Sequence, residues 1–74
     1  MTEILINTPF ITLQQALKLS NIVQSGGMVK LYIKNEKILV NGIRTTQRGK
    51  KLYPGDELII KDQKIVITTK ANEN

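Results

Sequence analysis

Four cations with no acid among them stand between two tight turns, and they are the residues of this sequence best suited to chemistry. The stretch runs from Asn41-Gly42 to Pro54-Gly55-Asp56 and carries Arg44, Arg48, Lys50 and Lys51. An arginine guanidinium can hold two oxygens of a phosphate at once, whereas a lysine ammonium acts as a point charge. We therefore expect a fixed cationic loop that binds a polyanion, and nucleic acid is the first candidate.

The positive charge of the chain is concentrated around this loop. The 74 residues carry a formal net charge of +5. From Lys30 to Lys51 there are seven cations and one acid, which gives +6, whereas the rest has four cations and five acids, which gives −1. A surplus that served only solubility would be scattered along the chain. The clustering favours an anion-binding face.

The composition leaves little room for catalysis or for a metal. The sequence has no Cys and no His, so it lacks disulfides, thiolate ligands and the commonest general base. The adjacent acids Asp56 and Glu57 would point to opposite sides of a strand, and Asp56 is better explained as a turn residue that accepts backbone amides. Ser20 and Ser25 have no His to activate them. We expect no enzyme activity, no cofactor and no small-molecule substrate.

The length and the N-terminal residues predict a small protein that does not enter a membrane. The first seven residues have no basic segment followed by a long apolar run, so they do not form a signal peptide. No apolar stretch approaches the roughly 20 residues that span a bilayer. A chain of 74 residues makes one domain with a modest core. We expect a monomer in the cytoplasm.

Two segments have the apolar spacing of amphipathic helices. Thr12 is a suitable N-cap for a helix over Leu13–Ser20, and Ser25 can cap a second helix from Gly27 to about Lys34. In the second helix three apolar residues share the inner face and two lysines the outer face, namely Val29, Tyr32 and Ile33 inside and Lys30 and Lys34 outside. If the basic loop lies against this helix, both sets of cations share one surface.

The rest of the chain has the pattern of short strands separated by turns. The predicted strands are Glu3–Asn7, Lys37–Val40, Ile43–Thr45, Glu57–Lys61 and Lys64–Thr68. Asn41-Gly42 is the strongest short hairpin signal, and Pro54-Gly55 suits the middle of a type II turn. A further turn is expected at Asp62-Gln63.

The glycines before the second helix have both a functional and a structural interpretation. Ser25-Gly26-Gly27 could be a phosphate seat at a helix start or an ordinary N-cap after a tight turn, and both need the same residues. Gly49 would let the backbone approach a ligand. The candidate binding residues are Ser25, Gly26, Gly27, Lys30, Lys34, Arg44, Arg48, Gly49, Lys50 and Lys51.

Aromatic residues are scarce, which argues against a platform for stacking a single strand. The three are Phe10, Tyr32 and Tyr53. We expect Tyr32 in the core and Phe10 over the first helix, and Tyr53 is the one kept as a candidate for stacking. The expected contact is with phosphates and shape, as in structured RNA.

Several of these motifs, in this order, resemble the RNA-binding domain of ribosomal protein S-four type, or alpha-L motif. The resemblance is closer still to its small free-standing bacterial subfamily, called YaaA-like or YbcJ-like. It covers about residues 11–60 and rests on Thr12-Leu13, Leu17-Lys18-Leu19, Ser25-Gly26-Gly27, Val40-Asn41-Gly42 and the run from Arg48 to Asp56.

The resemblance implies an α+β class and a small alpha-L RNA-binding fold, with two short helices packed on a small, mostly antiparallel β-sheet. It implies one RNA-binding domain over 1–74 with a core at about 11–60, and the residue pattern adds a C-terminal hairpin over 57–69 and a frayed tail over 70–74. It also implies that the second helix and the basic loop bind structured RNA, with ribosomal RNA and maturation of the ribosome as the setting.

This sequence departs from the family pattern at three places. Gln47 stands where the family often has a second Arg, which leaves Arg48 as the bidentate group and raises the importance of Lys50 and Lys51. Gln14 and Gly26-Gly27-Met28 stand where the broader family has an Arg in the first helix and a Ser-Arg pair at the second. Contacts made by those arginines elsewhere are not expected here.

Other classes of protein share part of the pattern. Sulfur-carrier and ubiquitin-like β-grasp proteins also show Val-Asn-Gly and Leu-x-x-Gly-Asp, but they are activated through a C-terminal Gly-Gly, and this sequence ends in Ala71-Asn72-Glu73-Asn74. A protein-interaction module of β-grasp type that docks an acidic partner stays open as the alternative. DNA also stays open, because charge alone does not separate it from RNA, although no recognition helix is evident.

Overall fold

The structure, a computed structural model, describes residues 2–69, and the tail predicted to fray over 70–74 lies outside the described residues. The strands and helices in chain order are β1 (Thr2–Ile6), β2 (Ile11–Thr12), α1 (Leu13–Leu19), α2 (Gly26–Asn35), β3 (Ile38–Val40), β4 (Ile43–Arg44), β5 (Lys51–Leu52), β6 (Glu57–Ile60) and β7 (Gln63–Thr69). The predicted α+β class is confirmed. Within this range neither α1 nor α2 has the length and apolar character needed to cross a membrane.

Five strands form one sheet in the order β1-β7-β6-β3-β4, and β2 pairs with β5 separately. The first and last strands run parallel, with Thr2 opposite Ile65 and Ile6 opposite Thr69. The other pairs are antiparallel, so the sheet is mostly antiparallel, as expected. The separate β2–β5 pair joins the segment before α1 to the end of the basic loop.

One face of the five-stranded sheet and the inner faces of both helices form the core. Alternate residues of β3, β6 and β7 are buried because successive side chains of a strand point to opposite faces. Each fully buried apolar side chain of this size contributes about 1.5–3 kcal/mol. The residues that meet there include Leu13, Ala16 and Leu17 of α1, Val29 and Ile33 of α2, and Ile38, Leu58, Ile60, Ile65 and Ile67 of the sheet.

The helix starts follow the predicted caps. The Thr12 hydroxyl accepts a hydrogen bond from the Gln15 amide at 3.3 Å, and the Gln15 side-chain oxygen accepts one from the Thr12 amide at 2.8 Å. The Ser25 hydroxyl accepts from the Met28 amide at 3.4 Å. These bonds satisfy amides that have no partner within the helix itself. After α1, Asn21 at φ 62° turns the chain away from the helix.

Two of the three predicted turns have the expected geometry. Asn41 at φ 52° and Gly42 at φ 85° both occupy the left-handed region, as a type I′ turn between β3 and β4 requires. Gly55 has φ 98°, and the Asp56 amide donates to the Tyr53 carbonyl at 2.9 Å, which closes the type II turn.

The third turn lies one residue earlier than predicted. The register of β6 and β7 pairs Ile60 with Gln63, so the turn residues are Lys61 and Asp62 and not Asp62 and Gln63. A turn at the predicted position would place Lys61 directly opposite Lys64, and like charges in such a pair are destabilising. In the observed register the Lys64 ammonium instead lies 3.2 Å from the Glu57 carboxylate.

Candidate nucleic-acid interface

The two turns that flank the basic loop are tied to each other by hydrogen bonds. The Asn41 side-chain amide donates to one oxygen of the Asp56 carboxylate at 3.0 Å, and the Tyr53 backbone amide donates to the other at 2.7 Å. The Asn41 side-chain oxygen accepts from the Glu57 amide at 3.0 Å. Asp56 is thus a turn residue, as the sequence predicted, and both its oxygens are occupied by the frame of the loop.

The backbone of the basic loop is also fixed to the start of α1. The amides of Leu13 and Gln14 donate to the carbonyls of Lys50 and Arg48, at 2.8 and 3.0 Å. The first amides of a helix lack partners within it and form its positive end, so loop carbonyls are favourable there. These bonds hold the loop main chain while the side chains of Arg48 and Lys50 stay exposed.

The loop lies against α2, and together they line a cavity of about 360 Å³. Lys30, Ile33 and Lys34 contribute from α2, and Thr46 and Arg48 contribute from the loop. All three cations are exposed, and among the described residues none of them forms an ion pair. Two sets of cations far apart in sequence therefore share one surface, and no acid of residues 2–69 forms an ion pair with them.

The remaining three cations line a second, larger cavity of about 500 Å³ on the same loop. Arg44, Lys50 and Lys51 surround it, and Tyr53 also contributes to its lining. Thr46 lines both cavities, so they adjoin along the loop. We call this pair of cavities with their six exposed cations the basic surface, formed by Lys30, Lys34, Arg44, Arg48, Lys50 and Lys51.

The start of α2 lines neither cavity. Gly27 precedes Lys30 by three residues and Lys34 by seven, which places it on the same side of the helix. A Cβ at Gly26 would lie 3.9 Å from the ammonium of Lys18 in α1, a cation that is not among the binding residues predicted from the sequence. Nothing in the local spacing indicates this approach, because the two residues belong to different helices. The phosphate seat at Ser25-Gly26-Gly27 stays a prediction.

An aromatic pair that the sequence did not indicate stands beside the second cavity. The ring centroids of Phe10 and Tyr53 are 5.7 Å apart with an angle of 47° between the ring planes. The Lys51 ammonium lies 4.9 Å from the centroid of the Phe10 ring, within cation–π distance. Phe10 and Tyr53 flank the pair Ile11–Leu52, so the short β2–β5 ladder brings them together.

The described residues contain no group of three or more acidic side chains placed to hold a metal ion. What the fold does place together is exposed cations on a fixed backbone, which is the arrangement of a nucleic-acid-binding module.

Comparison with known proteins gives the same class. A profile of the S4 domain matches residues 4–68, and the chain belongs to the S4 domain family. The predicted relation to the S-four type RNA-binding domain is thereby confirmed. A similar protein is the Probable ribosome maturation protein RlbA of Bacillus subtilis (strain 168), 49% identical over 51 residues, which are 69% of this chain and 72% of that protein. No solved structure matches.

Proposed function

We propose that this protein is a non-catalytic RNA-binding protein that contacts the phosphates of structured RNA, ribosomal RNA first, during ribosome maturation. Membership of the S4 domain family and similarity to a probable ribosome maturation protein support RNA binding and a role connected with the ribosome. We further propose that it acts as a single-domain monomer in the cytoplasm.

The observation that carries the proposal is the cavity between α2 and the basic loop. It gathers Lys30, Lys34 and Arg48 from two parts of the chain, and no acid pairs with them within the described residues. Unpaired, exposed cations attract phosphates at long range and release counterions on binding. The ten residues predicted from the sequence are the proposed contacts, with these three at the centre.

Hydrogen bonds within the protein pre-organise the backbone of the basic loop. Its carbonyls are engaged by α1, and its two flanking turns are joined through Asn41 and Asp56. Ordering a flexible loop on binding would cost part of the interaction energy, and a loop that is already held avoids most of this cost. A fixed cationic surface also suits the regular phosphate spacing of a folded RNA better than a freely bending strand.

A salt titration tests the proposal. Filter binding with structured ribosomal RNA fragments should give a log–log slope of affinity against salt on the order of −3 to −5, for about four to six phosphate contacts. A duplex DNA of matching sequence serves as the competitor that separates RNA from general polyanion binding. An affinity that does not change with salt would contradict the proposal. Ultraviolet crosslinking in cells would then identify the RNA or, for the alternative, an acidic protein partner.

Gly49 gives a second test, because the fold does not require a glycine there. Its φ lies outside the left-handed region, and a Cβ would meet no atom within 4 Å. We expect Gly49→Ala to change the free energy of unfolding by no more than about 0.5 kcal/mol. RNA affinity should fall roughly 5-fold, the equivalent of about one hydrogen bond, if a phosphate approaches the backbone there.

The control for this variant is Gly42→Ala. Gly42 has φ 85°, and a left-handed conformation costs a residue with a side chain roughly 1–2 kcal/mol, so this variant should lose stability. Wild-type RNA affinity in Gly49→Ala would show that the ligand makes no close contact with this part of the backbone.

A further inference from the structure

The second cavity differs in character from a simple phosphate site. Besides its cations it is lined by two side chains with large exposed apolar surface, Ile43, which is 73% exposed, and Tyr53, which is 48% exposed. The Tyr53 ring is in contact with Phe10, whose ring in turn lies under the Lys51 ammonium. A half-exposed aromatic ring supported from one side offers a surface for stacking a planar group.

The polar groups of the cavity have unused hydrogen-bonding capacity. The side-chain amide of Gln47 has two N–H donors and an acceptor oxygen. It forms no hydrogen bond within the described residues. The carboxylate of Asp56, which also lines the cavity, is already occupied by Asn41 and Tyr53. The lining therefore combines an aromatic surface, cations and an amide without a protein partner. Its carboxylate, that of Asp56, is already hydrogen-bonded within the turns.

We propose that this cavity binds one unpaired nucleotide of the RNA, with the base against the Tyr53 ring and the phosphate held by Lys50 and Arg44. The inference rests on the proposed function and adds to it that the preferred RNA has a bulged or unpaired nucleotide next to its helical part. The cavity volume of about 500 Å³ lies in the range of about 300–1,000 Å³ that is usual for sites holding small organic groups.

The chemistry of the lining favours a nucleotide over a bare phosphate or an acidic peptide. A phosphate alone needs cations and amides and gains nothing from exposed Tyr53 and Ile43. A carboxylate side chain of a peptide presents no extended flat face to a ring. A base with its phosphate uses both parts of the cavity, and stacking of one base on an aromatic side chain is worth about 1–3 kcal/mol.

The test uses the full chain and two RNA hairpins that differ by one nucleotide. One hairpin has a fully paired stem, and the other has the same stem with a single bulged 2-aminopurine. Wild-type protein should bind the bulged hairpin about 10-fold more tightly and change the 2-aminopurine fluorescence on binding. Tyr53→Ala should lose about 10-fold on the bulged hairpin and less than about 2-fold on the paired one.

Two further variants keep the test independent of folding. Tyr53→Phe retains the ring and should bind both hairpins like the wild type, whereas Tyr53→Leu retains apolar bulk and should behave like Tyr53→Ala. The salt slope on the paired hairpin should be the same for all of these proteins, because none of them changes a charge.

Different results would contradict the nucleotide site and the proposed function. If the wild type binds both hairpins equally, or if Tyr53→Leu keeps the preference for the bulge, the nucleotide site is wrong while RNA binding by the basic surface stands. If the wild type binds neither hairpin, nor any ribosomal RNA fragment, the proposed function is wrong as well.

Discussion

Replacing Lys34 and Arg48 together by alanine is expected to weaken binding of structured ribosomal RNA by roughly 30- to 150-fold, or about 2–3 kcal/mol. The two side chains come from α2 and from the loop, and they line the same cavity. In the double variant Lys30 is the one cation left in this cavity. The log–log slope of affinity against salt should become less steep, by the contribution of about two phosphate contacts. Fluorescence anisotropy at several salt concentrations measures both quantities.

The matched control removes two charges elsewhere. Lys61 and Lys64 lie at the β6–β7 turn and line neither cavity. Lys61→Asn with Lys64→Gln lowers the net charge by the same amount, and asparagine suits the left-handed conformation of residue 61. The control should lose less than about 3-fold, because its charges act only at long range. Equal losses in the two double variants would mean that binding follows net charge and not the cavity.

Arg48→Lys separates charge from geometry at the same position. A lysine keeps the positive charge but loses the planar fork that holds two phosphate oxygens. Affinity should lie between that of the wild type and that of Arg48→Ala, with an unchanged salt slope. The melting temperatures of the Arg48 variants should stay close to that of the wild type, since the Arg48 side chain is exposed and the carbonyl that accepts from Gln14 belongs to the backbone.

Asp56→Ala is expected to lower the free energy of unfolding by about 2 kcal/mol, which for a domain of this size is a fall in melting temperature of roughly 8–16 °C. The carboxylate accepts the Tyr53 backbone amide and the Asn41 side-chain amide, so alanine breaks the link between the two turns. Thermal melting followed by circular dichroism measures the loss.

Asp62→Ala is the matched control for this variant. Asp62 is an exposed acid in a hairpin turn and makes no hydrogen bond or ion pair within the described residues. Its replacement should change the free energy of unfolding by less than about 0.5 kcal/mol. Asp56→Asn retains one acceptor oxygen and should lose about half as much as Asp56→Ala. If Asp56→Ala and Asp62→Ala have the same melting temperature, the Asp56 carboxylate does not hold the two turns together.

Much of the local structure could be predicted from the sequence, because its causes lie within a few residues. A type I′ turn needs positive φ at two successive positions, and Asn41-Gly42 is among the few pairs that tolerate it. Thr12 and Ser25 carry hydroxyls that accept helix amides three residues ahead, so the helix starts were also predictable. The resemblance to the S4 domain family also rests on short local motifs that follow one another in the family's order.

The errors and omissions concern pairings between distant residues. The β6–β7 turn was misplaced by one residue, because both registers bury the same face and the choice depends on which charges meet across the strands. The parallel pairing of β1 with β7 was not predicted, since it joins residues about 60 positions apart. The contact of Phe10 with Tyr53 depends on the β2–β5 ladder, for which two residues on each side give no recognisable pattern.

The sequence by itself determined the class of protein and the charge that it presents. Turns, caps and the clustering of cations from Lys30 to Lys51 follow from residue type and near neighbours. Only the tertiary structure decided how the cations divide, with Lys30 and Lys34 joining Arg48 in one cavity and the others meeting Tyr53 in a second. The physical reason is that the loop takes its position from amides of α1 and from the Asn41–Asp56 link, and these contacts exist only once the core has formed.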